Sequence, residues 1–200
     1  MGLQNFTRDD VVGCIRSSAA AIAALEAQAV EVEALCTIVV NTLQRGGKVL
    51  TAGNGGSAAE ALHMSEELVG RYKGNRVSLP GIALVADCTA LTCIGNDFGF
   101  DDIFSRQVEG LGAEHDLLVL FSTSGRASNL VQAAQVARRK GMTSVALLGK
   151  SGGEVAHVVD QALIVPGEAT ERIQEVHQLI MHIILEAVEQ AFCPDTETPA

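Results

Sequence analysis

The chain has 200 residues and a formal net charge of −10 at pH 7, a length that suits one domain with a sizeable core. The acidic balance argues against nucleic acid as a partner, because phosphate backbones are bound by clusters of Lys and Arg. The five scattered cysteines form no CxxC pair, which favours reduced thiols over disulfides or a structural zinc site. We see no signal-like start and no apolar run of about 18 residues. We therefore expect a cytoplasmic protein without membrane contact.

The first predicted element is a long helical segment from Phe6 to about Arg45. It contains no Pro, and its apolar residues recur at helical spacing. Thr7, followed by Asp9 and Asp10, has the pattern of an N-terminal cap. The pattern fits one long helix or two in tandem. Because apolar residues cover much of its circumference, we expect residues 1–45 to form a subunit interface.

Short apolar strands then alternate with helices. The strands are predicted at Lys48–Ala52, Gly81–Ala86, Asp116–Ser122, Thr143–Leu148 and Gln161–Val165. The helices are predicted at Ser57–Tyr72, Thr89–Gly95, Asp102–Leu111, Ala127–Lys140 and Thr170–Phe192. This alternation predicts an α/β fold, a flavodoxin-like three-layer sandwich with a five-stranded parallel sheet buried on both faces. We expect a single domain over residues 1–200, with its α/β core at 46–193, a frayed tail at 194–200 and ligands at the carboxyl ends of the strands.

Two loops of small residues follow predicted strands. GNGGS (53–57) comes after the first strand and STSGRAS (122–128) after the third. Each leads into a helix, where backbone N–H groups can bind phosphate without a basic side chain. Neither is a GxGxxG fingerprint or a P-loop, and one such loop alone could equally be a tight turn. Two at adjacent strand ends favour phosphate binding, chiefly by Ser122, Thr123 and Ser124.

A second set of polar residues lies on two helices. His63 and Glu67 share a helix face because residues i and i+4 are neighbours, although such a pair in isolation is more often a plain surface contact. The last helix carries a polar line beside an apolar stripe, formed by Glu171, Gln174, Gln178 and His182. A polar line in an apolar stretch costs stability unless it is satisfied. It is therefore a hydrogen-bonded core, a polar seam between subunits or a functional site.

The functional interpretation is one metal ion shared by both helices, with ligands His63, Glu67, Gln174 and His182. Two imidazoles, a carboxylate and an amide oxygen suit zinc. Gln174 and His182 are eight residues apart, about 12 Å along a helix, so both reach one ion only by leaning together or across subunits. In the polar GNDFG stretch (95–99), Asp97 is a candidate for sugar hydroxyls, with an Asx-turn as the alternative.

These stretches together resemble the sugar isomerase (SIS) domain and, within it, the sedoheptulose-7-phosphate isomerases, or phosphoheptose isomerases. The matching segments are GNGGSAAEALHMSEELVGRY (53–72), CIGNDFGFDDIFSRQVE (93–109), STSG (122–125) and ERIQEVHQLIMH (171–182). GNGGS and STSG mark only the broader domain. RIQExHxxxxH combined with the His63–Glu67 pair is more specific.

The resemblance implies conversion of sedoheptulose 7-phosphate to D-glycero-D-manno-heptose 7-phosphate, the first step of bacterial heptose biosynthesis. It also implies a homotetramer with active sites at subunit boundaries, and zinc, one ion per subunit, on the four ligands above. The implied substrate contacts are Asn54, Gly55, Gly56, Asn96, Asp97, Ser122, Thr123, Ser124 and Gln174. We add two hydroxyls of the same loops, Ser57 and Ser128.

The chain departs from the family at two positions. Ala127 stands where the family usually has Ser, and the serine comes one residue later at Ser128. Glu171 stands where Asp is frequent. One phosphate hydroxyl is therefore missing or supplied differently.

For the chemistry we expect Glu67 to be the base and His182 its acid partner in a cis-enediol mechanism. Zinc would act as a Lewis acid. Since a zinc-bound carboxylate is a weaker base, Glu171 is an alternative. The competing functions are a non-catalytic adaptor or sugar-phosphate sensor of the same fold, and an isomerase of another sugar phosphate.

Overall fold

The computed structural model describes residues 6–193, so the predicted frayed tail at 194–200 lies outside the described residues. The N-terminal segment is two tandem helices, α1 (Arg8–Ala24) and α2 (Ala29–Gln44), joined by a 3-10 turn. Thr7 caps α1, because its side chain accepts from the Asp10 backbone N–H while the Asp10 carboxylate accepts from the Thr7 backbone. The long N-terminal helical segment is confirmed.

The remaining elements alternate as the sequence predicts. The strands are β1 (Val49–Gly53), β2 (Gly81–Ala83), β3 (Leu117–Ser122), β4 (Thr143–Gly149) and β5 (Gln161–Val165). The helices are α3 (Gly56–Val69), α4 (Cys88–Asp97), α5 (Ser105–Leu111), α6 (Ser128–Arg139), α7 (Val155–Val158) and α8 (Thr170–Phe192). None of the helices within residues 6–193 has the length and hydropathy that crossing a membrane requires.

Several predicted boundaries differ from the structure. The second strand ends at Ala83 and not at Ala86, and the short helix α7 was not predicted. The helix predicted to reach Tyr72 ends at Val69, since Gly70 leaves helical geometry as its C-cap. The helix predicted from Asp102 starts at Ser105, after a separate 3-10 turn at Phe100–Asp102. The residues Gly95–Asp97, predicted as part of a loop, are the last turn of α4.

The strand order explains where a ligand can bind. All five strands are parallel, in the order β2-β1-β3-β4-β5, which confirms the flavodoxin-like sandwich. From β1 the chain passes to β2 on one side, and from β3 it passes to β4 on the other. The order therefore reverses between β1 and β3, where a crevice opens at the carboxyl ends of the strands.

The core lies in two apolar layers, one on each face of the sheet. One layer packs α2, α3 and α8 on the sheet through residues such as Leu35, Met64 and Val176. The other packs α5 and α6 through residues such as Val108 and Leu130. As a result α3 and α8 lie side by side on one face, while α6 lies on the opposite face.

The segment after α3 fastens α3 to α8. The Arg76 side chain is fully buried and pairs with the Glu189 carboxylate of α8 at 3.4 Å. The same guanidinium donates to the carbonyl oxygens of Glu67 at 2.7 Å and Leu68 at 3.0 Å. The ion pair to Glu189 and the two hydrogen bonds to α3 together fix the C-terminal turn of α3 relative to α8.

Replacing Arg76 by Met tests this connection. Because it leaves the Glu189 carboxylate buried without its cation, we expect a loss of about 3–5 kcal/mol in the free energy of unfolding. Lys73→Met is the matched control, since Lys73 pairs with Glu186 of the same helix at a site that is half exposed, where ion pairs contribute little. Urea unfolding of both variants measures the difference. Equal losses would show that Arg76 does not fasten the helices.

Candidate active site

A cavity of about 450 Å³ lies between α3 and α8. Its lining comes from single faces of the two helices: Gly56, Ala59, Glu60, His63, Gln174, Glu175 and Gln178. The spacing of three or four residues on each helix places these side chains on one face. The cavity begins at the glycine loop and extends along both helices, so a ligand held at the loop would reach the histidine.

A continuous chain of hydrogen-bonding groups crosses from α3 to α8. Glu67 Oε1 lies 3.3 Å from His63 Nε2. The Gln178 amide nitrogen lies 2.6 Å from His63 Nδ1 and 3.2 Å from His182 Nε2. An amide nitrogen can only donate, so both imidazole nitrogens that face it are acceptors. His63 then carries its proton on Nε2, toward the carboxylate of Glu67.

His182 is held in partly buried surroundings. Its ring meets the edge of the His63 ring at a centroid distance of 5.2 Å and stacks against Tyr72 at 5.9 Å. Burial lowers the pKa of His182 below its ordinary value of 6.5, and the neighbouring His63 lowers it further, against the opposing effect of Glu67 and Glu186. His182 is therefore a neutral imidazole near pH 7.

Tyr72 was not a predicted site residue, although it belongs to the stretch 53–72. Its hydroxyl donates to Glu186 Oε1 at 3.2 Å. Burial and the Glu186 carboxylate raise the pKa of Tyr72, so the phenol remains protonated. Its ring can therefore cover one face of His182 without adding a charge.

The side chains of this region suit a metal ion. One atom each of His63, Glu66 and Glu67 lie within 4.8 Å of one another. On the other side of the ring, the lone pairs of His63 Nδ1 and His182 Nε2 converge on the Gln178 amide. Imidazole and carboxylate donors are the ligand types that zinc accepts. Glu67 and His182, however, face different nitrogens of His63.

The structure brings together three of the four predicted metal ligands in one chain, whereas Gln174 lies further along the cavity. Its amide packs against Gly56, where any Cβ would collide with it. Gln174 thus borders the glycine loop, about 12 Å along the helix from His182. Glu171 lies further still, exposed beside Arg172 in a surface depression against α1.

The first predicted phosphate loop turns tightly into α3. Gly55 has φ +59°, which favours glycine. The backbone N–H of Ser57 donates to the Asn54 carbonyl at 3.1 Å, and that of Ala58 to the Gly55 carbonyl at 3.0 Å. Ser57 itself is buried. The Gly56 backbone lies on the cavity wall, so this loop presents mainly backbone to a ligand.

In the second loop three predicted hydroxyls have hydrogen-bond partners, among them Ser124 Oγ, which accepts from the Arg126 N–H at 3.4 Å. Ser122 Oγ accepts from the Gly125 N–H at 3.0 Å and shapes the turn. Ser128 donates to the Asp101 carboxylate, so its hydroxyl does not point freely into the loop. Thr123 and Ser124 are half-buried at the top of β3.

Asn96 and Asp97 do not line the cavity between α3 and α8. Both are exposed at the end of α4, and the Asn96 amide donates to Asp97 Oδ1 at 2.7 Å. Within this chain the two residues pair with each other.

A buried acid and base beneath the cavity were not predicted. Glu60 and His177 are 5% and 0% exposed. His177 Nε2 lies 3.0 Å from the Leu148 carbonyl, so this nitrogen carries a proton. Its Nδ1 faces Glu60 Oε2 at 3.8 Å. A burial pattern with the period of a helix could have identified His177 as inward-facing, but not its partner on α3.

Comparison with known proteins assigns the family. A family model described as SIS domain matches residues 15–149. The chain belongs to the SIS domain family. It is 49% identical to the phosphoheptose isomerase of Sulfurimonas denitrificans over 166 residues, covering 82% of this chain and 83% of that protein. It is 47% identical to that of Vibrio cholerae over 162 residues, covering 80% and 84%.

Solved structures of the same enzyme superpose on the chain. The phosphoheptose isomerase of Neisseria gonorrhoeae has a TM-score of 0.86 at 36% identity, with 92% of this chain and 98% of that one covered. The enzyme of Francisella tularensis has a TM-score of 0.85 at 35% identity, with 91% and 97% covered. Within the SIS domain family, the chain therefore belongs to the phosphoheptose isomerases.

The lowered pKa of His182 predicts how stability depends on pH. As pH falls below about 6.5, the ordinary pKa of histidine, residue 182 binds a proton more readily in the unfolded chain than in the folded chain. The free energy of unfolding therefore falls as pH falls. We expect this loss, between about pH 7.5 and about pH 5, to be smaller in His182→Gln than in the wild type. Urea unfolding with a chelator present measures it. His115→Gln, at a 74% exposed histidine, is the control, and an equal reduction there would contradict the assignment.

Proposed function

We propose that this chain converts sedoheptulose 7-phosphate to D-glycero-D-manno-heptose 7-phosphate, the first step of bacterial heptose biosynthesis. The observation that carries the proposal is the hydrogen-bonded connection from Glu67 through His63 and Gln178 to His182. It lies beside a cavity that begins at a glycine-rich helix start, in a member of the phosphoheptose isomerases.

The reaction requires two proton transfers at neighbouring carbons. Glu67 removes a proton from C1 of the ketose while O2 gains one, which gives a cis-enediol. The O1 proton then leaves, C2 is protonated, and the aldose forms. His182, neutral because its pKa is lowered, can accept a proton from one oxygen and return it to the other.

Substrate binding is divided between the loops and the helices. Backbone N–H groups at the start of α3, at Gly55 and Gly56, favour the phosphate. Thr123 and Ser124 add hydroxyls from the second loop. Gln174 lies against Gly56, where its amide can orient the sugar chain next to the phosphate. Asn96 and Asp97 contribute only if a neighbouring subunit presents them.

We infer that zinc is the cofactor, one ion per subunit, held by His63, Glu67 and His182 with Gln174 as the fourth ligand. Bound zinc would polarise the sugar oxygens as a Lewis acid. The donor types support zinc. One ion on all four ligands requires side-chain movement, because Glu67 and His182 face different nitrogens of His63 and Gln174 lies far from His182. Metal analysis of the purified protein tests this, and a metal content well below one per chain would contradict it.

We further propose a cytoplasmic homotetramer in which residues 1–45 form the interface and residues 46–193 the α/β core of a single SIS domain. The support is the apolar surface that α1 and α2 leave exposed, which includes Ile15 at 63% and Val30 at 76%. Such side chains in contiguous helices indicate a protein interface. Light scattering in solution measures the mass, and a monomer would contradict the proposal.

Replacing Glu67 by Gln tests the mechanism. The amide cannot take the C1 proton, so we expect turnover of sedoheptulose 7-phosphate to fall at least about a hundredfold, with sugar-phosphate binding largely retained. His182→Gln is expected to act similarly. Glu109→Gln, the same change at an exposed position of α5, should leave the rate unchanged.

The assay also separates the competing functions. Fructose and ribulose phosphates offered in parallel identify an isomerase of another sugar. A wild-type chain that binds sugar phosphates without converting any of them would be a sensor or adaptor. If Glu67→Gln keeps more than about a tenth of the wild-type rate, Glu67 is not the base.

A further inference from the structure

The two strand-end loops are joined by a reciprocal pair of amides that the sequence patterns do not single out. Asn54 Nδ2 donates to Asn129 Oδ1, and Asn129 Nδ2 donates to Asn54 Oδ1, both at 3.0 Å. Asn54 belongs to the first loop, and Asn129 is the second residue of α6. Asn129 is only 1% exposed, so water does not compete for its amide.

This pair spans the crevice between β1 and β3. The first loop leads from β1 to α3 on one face of the sheet, whereas the second leads from β3 to α6 on the opposite face. The two crossovers therefore diverge at the point where a ligand of this fold binds. The amide pair connects them across that divergence.

The chemistry of the pair requires a carboxamide on both sides. Each side chain uses its carbonyl once as acceptor and its amide once as donor. A carboxylate at position 129 could accept but not donate, which would leave Asn54 Oδ1 without its partner. An apolar side chain could do neither. Burial makes either loss costly, because an unsatisfied buried polar group forfeits its solvation.

The second loop has its own internal bond and a close contact with the segment after β4. Ser122 Oγ accepts from Gly125, and Gly125 packs so closely on Gly152 that it has no room for a Cβ. The backbone bonds of the first loop, from Ser57 to Asn54 and from Ala58 to Gly55, are local to the turn itself. The amide pair therefore connects the first loop to the start of α6, directly after the second loop.

We propose that Asn129 is a positioning residue for sugar-phosphate binding, which sets the distance between the two loops so that both contact one phosphate. Asn54 then contributes to phosphate binding through its backbone and through its bond to Asn129, because its side-chain carbonyl and one amide hydrogen already bond to Asn129. This inference rests on the proposed function for the identity of the ligand.

The test compares Asn129→Asp and Asn129→Leu with the wild type. Asp preserves the size of the side chain and retains one of the two hydrogen bonds, whereas Leu has the same number of heavy atoms but retains neither bond. Affinity for inorganic phosphate is measured by calorimetry, and kcat and KM are measured with sedoheptulose 7-phosphate. We expect phosphate affinity to fall and KM to rise about tenfold or more in both variants, while kcat stays within about threefold of wild type.

Val136→Ala is the matched control for a merely structural effect. Val136 lies two turns along the same helix, in the core layer away from the loops, and its truncation destabilises α6 without touching them. We expect it to lower the unfolding temperature but leave phosphate affinity and KM unchanged. An equal rise of KM in Val136→Ala would overturn the inference.

The outcomes separate this inference from the proposed function. Wild-type phosphate affinity in either Asn129 variant overturns the inference, as does a wild-type chain that does not bind inorganic phosphate. If no sugar phosphate is converted but phosphate binding depends on Asn129, the positioning role holds and the isomerase assignment fails. If one of the two Asn129 variants does not fold, the phosphate affinity and KM of the other variant test the inference.

Discussion

The site depends on the side-by-side packing of α3 and α8 on one face of the sheet. His63 and Glu67 come from one helix and Gln178 and His182 from the other, so no local segment contains the group. The buried pair of Arg76 and Glu189 holds the ends of these helices together. A shift between the helices that is too small to unfold the core would therefore separate the Glu67 carboxylate from the His182 imidazole.

Burying polar groups along α3 and α8 lowers the stability of the folded chain, a loss that an apolar core would avoid. Glu60 and His177 lie buried with few partners, and His182 is kept neutral by desolvation. Buried ionisable groups are weak evidence for stability, and their concentration beside a cavity is typical of functional sites. The two apolar layers on either side of the sheet offset this cost.

The proposed phosphate site would let an acidic chain bind an anion, because its positive groups come from the backbone. The reversal of strand order between β1 and β3 places two helix starts at one crevice. Their N–H groups and partial positive charge favour an anion. Asn54 and Asn129 join these starts without a charged side chain, which agrees with the scarcity of Lys and Arg.

The sequence by itself determined the alternation of elements, the parallel sheet and the two loops, because apolar periodicity and small residues act locally. Helical spacing and family resemblance also singled out His63, Glu67 and His182 as candidate site residues. Only the tertiary structure showed that Gln178 lies between the two histidines, that Asn129 is the partner of Asn54, and that Ser128 is engaged by Asp101. These contacts join residues from separate elements, and their distances follow from how the helices pack on the sheet, which no spacing along the chain encodes.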